Sequence, residues 1–228
     1  MRTVLITGSN GIVGSVLRDG LNDKYEIRGV DFPDDISHYD ILWSQMAGVD
    51  TVIHLARRFP PTDSPIEQRM RIYPQNVQMD VNVFTAMVKA EIKRLIMASS
   101  VHADNHRDPM AVEPLTIPGS YNPATPYGVY KLIGEEVGKA LSKQFDFEFI
   151  GVRFGGVTRD NSVKTGEGQT ATWLSHDDLV SAIDACLAIE SVPGRSTIFY
   201  AVSNNADRIH DITNPFGWKP KDNSADCT

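Results

Sequence analysis

The stretch Thr3-Val4-Leu5-Ile6-Thr7-Gly8-Ser9-Asn10-Gly11-Ile12-Val13-Gly14 decides the fold. Thr3 to Ile6 is a short apolar run of the kind that forms a buried strand. It runs directly into a glycine-rich turn, after which Ile12, Val13, Val16, Leu17 and Leu21 recur at helical spacing. Strand, glycine turn and helix in this order make an anion cradle. Gly8 makes the tight turn, Gly11 lets the backbone approach a diphosphate, and Gly14 lets the helix pack close to the strand. The first N–H groups of the helix have no intrahelical partner and face the anion. The pattern therefore predicts a dinucleotide site.

Outward from this unit, apolar runs alternate with helical patterns, the signature of a parallel sheet covered on both faces. Further strands are expected at 26–30, 51–55, 94–98, 147–152 and 197–202. Helices are expected over 37–46, 74–90 and 126–144, and a last one runs to about 190. Ser175, with Asp178 three residues on, opens that last helix as a capping box. Loops are expected over 59–65, rich in proline, and over 101–123. The C-terminal remainder has little pattern and reads as a frayed polar tail. The fold class that follows is α/β, a Rossmann-type doubly wound parallel sheet. It forms a single domain over 1–228, with a small C-terminal substrate-binding part drawn mainly from 155–175 and 203–228.

Composition bounds the function. A chain of 228 residues with a formal net charge of −7 can bury a sizeable core, and its charge argues against non-specific nucleic-acid binding. No apolar stretch is long enough to span a membrane, and no signal peptide opens the chain. Cys186 in a helical pattern and Cys227 in a polar tail suggest neither a disulfide framework nor a zinc site. No metal, no nucleic acid, no membrane and a reducing cytoplasm are the expectations.

Two further features belong with the glycine turn. Asp31 ends the second expected strand, near the spacing of about twenty residues at which an acid meets the adenosine ribose. A carboxylate there repels the extra phosphate of NADP and so favours NAD. Asp35-Ile36 in the next loop is placed to meet the adenine, or Asp34 or Asp35 caps the following helix. Tyr127 and Lys131, four residues apart on an expected helix with Pro126 at its first position, share one face. Ser99 and Ser100 stand just beyond the fourth strand, where the crevice of a doubly wound sheet opens. A phenol beside an ammonium and a positive nicotinamide is expected to titrate below its usual range, which would make Tyr127 a general base. Ser100 can orient a substrate oxygen, and Lys131 can bond the nicotinamide ribose.

Together these residues resemble the extended short-chain dehydrogenase/reductase superfamily, the NAD-dependent epimerase/dehydratase family. The resemblance is carried by 7–14, Asp31, Asp-Thr-Val-Ile-His-Leu-Ala at 50–56, Asn76-Val77, Ala98-Ser99-Ser100, Pro126-Tyr127-Gly128-Val129-Tyr130-Lys131 and Arg153-Phe154-Gly155. It implies NAD contacts at Gly8, Asn10, Gly11, Ile12, Gly14, Asp31, Asp35, Ile36, Leu55, Ala56, Arg57, Asn76, Tyr127 and Lys131. It also implies a catalytic triad of Ser100, Tyr127 and Lys131, with a homodimer formed through the helices at 74–90 and 126–144. Within the superfamily the chain is most similar to uronate dehydrogenases. That similarity rests on Ser99-Ser100-Val101-His102, on Ala171-Thr172-Trp173-Leu174-Ser175 with Asp177-Asp178, and on Tyr200-Ala201-Val202-Ser203 followed by Phe216-Gly217-Trp218. It implies oxidation of an anomeric hydroxyl, with Ser100, His102 and Tyr127 on the substrate; His102 also reads as a loop histidine facing water.

The chain departs from that pattern at Val101, where the resemblance has asparagine, and at Phe59, where it has serine. No arginine stands near Gly168-Gln169-Thr170 to meet a carboxylate. Arg57, Arg58, Arg159 and Lys164 are the available cations, and surface roles are expected for them. His54 reads as a satisfied core histidine. The leading expectation is an NAD-dependent dehydrogenase of a small sugar or sugar acid. A nucleotide-sugar epimerase or dehydratase, or a non-catalytic NAD-binding sensor or scaffold, stand as alternatives.

Overall fold

The computed structural model describes residues 1–31, 33–61, 63–105, 114–117, 121–164, 166 and 168–227, so much of the loop expected over 101–123 lies outside the described residues. Six parallel strands form one sheet in the order β2-β1-β3-β4-β5-β6. They are β1 (Thr3–Thr7), β2 (Glu26–Val30), β3 (Thr51–His54), β4 (Arg94–Ser100), β5 (Glu148–Phe154) and β6 (Ser196–Ala201). The helices are α1 (Ile12–Leu21), α2 (Tyr39–Ser44), α3 (Ile66–Lys89), α4 (Pro126–Gln144), the short α5 (Gln169–Thr172) and α6 (His176–Ala188).

Alternate strand residues serve opposite faces, as the pleat requires. Val4, Ile6, Ile53, Ile96, Ile150 and Val152 pack with α1 and α6. Leu5, Val52, Leu95 and Phe149 pack with α2 and α3 on the other side, where α4 also lies. Burying such side chains contributes roughly 1.5–3 kcal/mol each, which makes the two-sided sheet the main source of stability. The strand order reverses between β1, paired to β2, and β3, paired to β4. At such a switch point the loops diverge and a crevice opens at the carboxyl ends of the strands.

The expected elements are present, with informative differences in extent. β4 and β5 run two residues past the expected ends, so Ser99 and Ser100 lie on the strand rather than beyond it. α3 begins at Ile66, and Pro74 sits inside it rather than at its start. An internal proline forfeits one backbone hydrogen bond. Compensating contacts hold the extra turns: Tyr73 stacks on Tyr130 of α4 at 4.5 Å, and Arg69 donates to the Ser64 carbonyl. Neither Asp34 nor Asp35 caps α2, whose N-cap is His38; Asp35 instead accepts from the Ser37 N–H at 3.0 Å.

The C-terminal segment is docked rather than frayed. Asp178 is buried, and its carboxylate accepts from the N–H groups of Lys221 and Asp222 and from the Ser203 hydroxyl. Ser175 caps α6 through the Asp178 N–H, as expected, but the Asp178 side chain does not return the bond and serves the tail.

Candidate active site

The glycine turn closes as its residue types require. Gly8 has a φ of 74°, and a Cβ on Gly14 would lie 2.2 Å from the Gly8 carbonyl oxygen, so α1 can approach β1 only with glycine there. α1 starts at Gly11 with no side chain capping it, which leaves its first-turn N–H groups to a ligand. Across the turn, Asp31 Oδ2 accepts from the Asn10 N–H at 2.7 Å, fixing the carboxylate at the end of β2.

A cleft of about 780 Å³ opens at the switch point. Its walls include Gly8, Asn10, Gly11, Ile12, Gly14, Asp31, Asp35, Ile36, Leu55, Ala56, Arg57, Ser100, Tyr127 and Lys131. Thus nearly all the candidate residues converge on one cavity. Asn76 and His102 are not among the lining residues. Asn76 is buried, with its amide clamped on the Arg58 backbone in both directions, at 2.8 and 3.0 Å. It therefore shapes the loop after β3. His102 is exposed, with its ring centre 5.8 Å from that of Tyr127 in an edge-on arrangement. From the two segments expected on the substrate side, Gly155, Val157 and Arg159 line the cleft, whereas no described residue of 203–227 does.

The catalytic candidates meet at the cleft floor. Thr125 caps α4 through the Gly128 N–H at 3.2 Å, and Pro126 sets the first turn. Gly128 then abuts the 101–103 turn so closely that a Cβ would lie 1.9 Å from the His102 carbonyl oxygen. This contact brings α4 against the end of β4 and places Tyr127 in hydrogen-bond contact with Ser100. Lys131, one turn later, donates to the Ala98 carbonyl at 2.5 Å, and its Nζ lies 5.6 Å from the Tyr127 ring centre. Burial raises the Tyr127 phenol above its usual range; the Ser100 hydrogen bond and the Arg57 charge oppose this without outweighing it. Burial also holds Lys131 well below the usual lysine range, helped by Arg57 and opposed by Asp80 and Glu135. The lowered Tyr127 expected from a neighbouring ammonium is therefore not found. Desolvation governs both groups, and the positive charge acting on the phenol is that of Arg57.

Polar groups that the sequence pattern did not single out hold this arrangement. The Thr7 hydroxyl accepts from the N–H groups of Leu55 and Ala56 and lies 2.6 Å from His54 Nδ1. Its own proton therefore goes to Nδ1, leaving His54 Nε2–H to donate to Asp80 Oδ1 at 2.9 Å. His54 is the buried, fully bonded core histidine expected. Asn82 donates to the carbonyls of Ile36 and Ser37, tying the loop after β2 to α3. Glu135, one turn beyond Lys131, pairs with Arg153 through two 2.8 Å bonds and accepts from Ser99, beside Ser100. The readable signal was polar residues on faces of α3 and α4 that the apolar pattern buries.

The cations separate. Arg58 pairs with Asp35 and Gln75, Arg159 and Lys164 are exposed, and the Arg57 side chain is buried rather than exposed: it is 4% accessible and pairs with Asp80 at 3.5 Å. Among the described residues there is no group of three or more His, Cys, Asp or Glu placed to hold a metal.

Known proteins resemble this chain in sequence and fold. The chain is 27% identical to an NAD-dependent glucose-6-phosphate dehydrogenase of Haloferax volcanii, across 99% of this chain and 95% of that protein. It is 29% identical to a uronate dehydrogenase of Agrobacterium fabrum, across 98% of this chain and 86% of the relative. A crystal structure of a mutant uronate dehydrogenase from Agrobacterium tumefaciens, complexed with NAD, superposes with a TM-score of 0.82 at 25% identity, covering 99% of this chain and 87% of that one. Residues 4–158, from β1 to the loop beyond β5, match the model of the NAD dependent epimerase/dehydratase family, and the chain belongs to that family.

Proposed function

We propose that the protein is an NAD-dependent dehydrogenase that interconverts a hydroxyl and a carbonyl on a small sugar or sugar acid. The observation that carries the reading is the assembly of Ser100, Tyr127 and Lys131 at the floor of the cleft that the glycine turn opens. Bound NAD supplies the hydride acceptor. The turn at 8–14 would hold its diphosphate, Asp31 its adenosine ribose, and Leu55, Ala56 and Lys131 the span toward the nicotinamide. Ser100 orients the substrate hydroxyl, and Tyr127 Oη takes its proton as the carbon is oxidised. Lys131, fixed on the Ala98 carbonyl, keeps α4 seated on β4 so that these two oxygens stay in contact. The sugar dehydrogenases among the relatives support the substrate class. Screening NADH formation against aldoses, uronic acids, sugar phosphates and secondary alcohols tests the reading. NADH should form with at least one sugar; NAD binding with no turnover on any member of the panel would overturn the dehydrogenase reading in favour of an NAD-binding sensor or scaffold.

A further inference from the structure

Tyr127 walls a second, smaller cavity as well as the large cleft. This one holds about 270 Å³ and is lined by the loop after β3, by α3 and by the start of α4. Phe59 lines both cavities too, with its ring centre 6.0 Å from that of Tyr127. A substrate whose hydroxyl meets Tyr127 therefore has the smaller cavity next to it. The cavity is held open by the fold before any ligand binds. Asn76 clamps the Arg58 backbone in both directions, and the Ser64 N–H donates to the Pro61 carbonyl at 3.0 Å. Tyr73 is fixed by its stack on Tyr130. A ligand entering such a preformed space spends little on ordering the protein.

The walls say what chemistry fits. The polar side chains Arg58, Arg69 and Asn76 are engaged by the protein itself: Arg58 with Asp35 and Gln75, Arg69 with the Ser64 carbonyl, and Asn76 with the Arg58 backbone. What Phe59, Pro60, Pro61 and Tyr73 offer to a ligand is ring surface. Phe59 is 67% exposed and packs in neither face of the sheet, so its ring is available to a ligand. A cavity of roughly 150 Å³ already accepts a benzene ring, so this one has room for a group of that size. Resting on the dehydrogenase reading above, we propose that this cavity is a substrate subsite for an apolar substituent. The substrate is a sugar bearing an alkyl or aryl group rather than a fully hydroxylated one. The group packs on Phe59, Pro61 and Tyr73 while the reacting hydroxyl stays on Tyr127.

The test is calorimetric titration of the NADH-loaded protein with glucose and with its four monobenzyl ethers that leave the anomeric hydroxyl free, alongside turnover of the same sugars with NAD. The series carries the ring at each of the other hydroxyls in turn. At least one ether should bind about tenfold or more tighter than glucose, as burial of a benzene-sized group requires. Phe59→Ser removes an exposed wall of the cavity without touching either core. In it the ether-over-glucose ratio should fall about fivefold or more. Phe59→Leu, which keeps an apolar side chain, should restore part of the ratio. Trp43→Ser removes an exposed aromatic ring outside both cavities and should leave the ratio as in the parent. The proposal is overturned if no ether outbinds glucose or if the ratio is unchanged in Phe59→Ser. It is equally overturned if Phe59→Leu loses as much as Phe59→Ser, or if the loss appears in Trp43→Ser. Phe59-dependent ether binding with no NADH formed from any sugar would sink the dehydrogenase reading alone. Oxidation of unsubstituted sugars with no ether preferred would sink the apolar subsite alone.

Discussion

Tyr127 is the general base of the proposed reaction because it is the titratable oxygen in contact with Ser100 at the cleft floor, and its environment fixes how it must behave with pH. Burial raises its phenol above the usual range, so at neutral pH the free protein holds mostly the protonated form. The base form grows as pH rises, so kcat/KM for substrate oxidation should climb by up to about tenfold per pH unit below the phenol's pKa. Removing the Ser100 hydrogen bond takes away an influence that lowers it, so Ser100→Ala should move this limb further alkaline, besides slowing turnover. Initial rates measured across pH check both statements, and a flat wild-type profile would contradict them. Tyr127→Phe keeps the ring between Phe59 and His102 and removes only the oxygen. Turnover should fall by about 10² to 10⁴ with NAD affinity unchanged by calorimetry. Near-normal turnover would mean that the proton takes another path. The residues themselves were legible in the sequence because Tyr127 and Lys131 share a helix face and Ser100 ends a strand. Their protonation was not legible, because desolvation depends on what the rest of the chain packs around them.

At the scale of elements, the strands were readable nearly to the residue because a two-sided sheet demands continuous apolar runs, and β2 and α4 fall where the pattern puts them. What local pattern misses is a long-range contact overriding a local rule. Pro74 signals a helix start, yet α3 runs through it because Tyr73 finds Tyr130. Ser175 and Asp178 look like a local cap, yet the carboxylate is spent on a segment more than forty residues away in sequence. This second case gives a stability prediction. Asp178→Ala leaves the Ser203 hydroxyl and the Lys221 and Asp222 N–H groups without their acceptor. The cost should be about 3 kcal/mol, a fall in Tm of roughly 6–12 °C for a domain of this size. Calorimetric melting checks it, and an unchanged Tm would show the tail contributes nothing to stability. A prediction about cofactor choice belongs to the end of β2. Asp31, held by the Asn10 N–H on the cleft wall, can accept from ribose hydroxyls and repels a phosphate. NAD should bind about tenfold or more tighter than NADP, and equal or reversed affinities by calorimetry would remove that role from Asp31.

For the whole molecule, the sheet faces α1 and α6 on one side and α2, α3 and α4 on the other, and the second side is not apolar only inward. α4 exposes Val129, Ile133 and Val137, each about two-fifths accessible, at successive helical turns. α3, packed beside it, exposes Ile66, Met70 and Val81 along one line. Two adjacent helices with outward apolar stripes suit an isologous contact, in which a second copy turned about a two-fold axis would lay its own pair across them and bury both sets. The alternative, leaving six large apolar side chains in water on neighbouring helices, forgoes that burial. We propose that the protein is a homodimer through this face, with the two clefts opening away from the contact at the carboxyl ends of the strands. Light scattering at micromolar concentration should give twice the chain mass. Ile133→Glu places a charge at the middle of the stripe, where an isologous contact meets it twice; burying it unpaired would cost several kcal/mol, of the order of 3–5. The variant should therefore scatter as a monomer while its far-UV circular dichroism stays that of the parent, since Ile133 lies outside both cores. A wild-type monomer, or an Ile133→Glu protein that remains dimeric, would assign the contact to another face or to none.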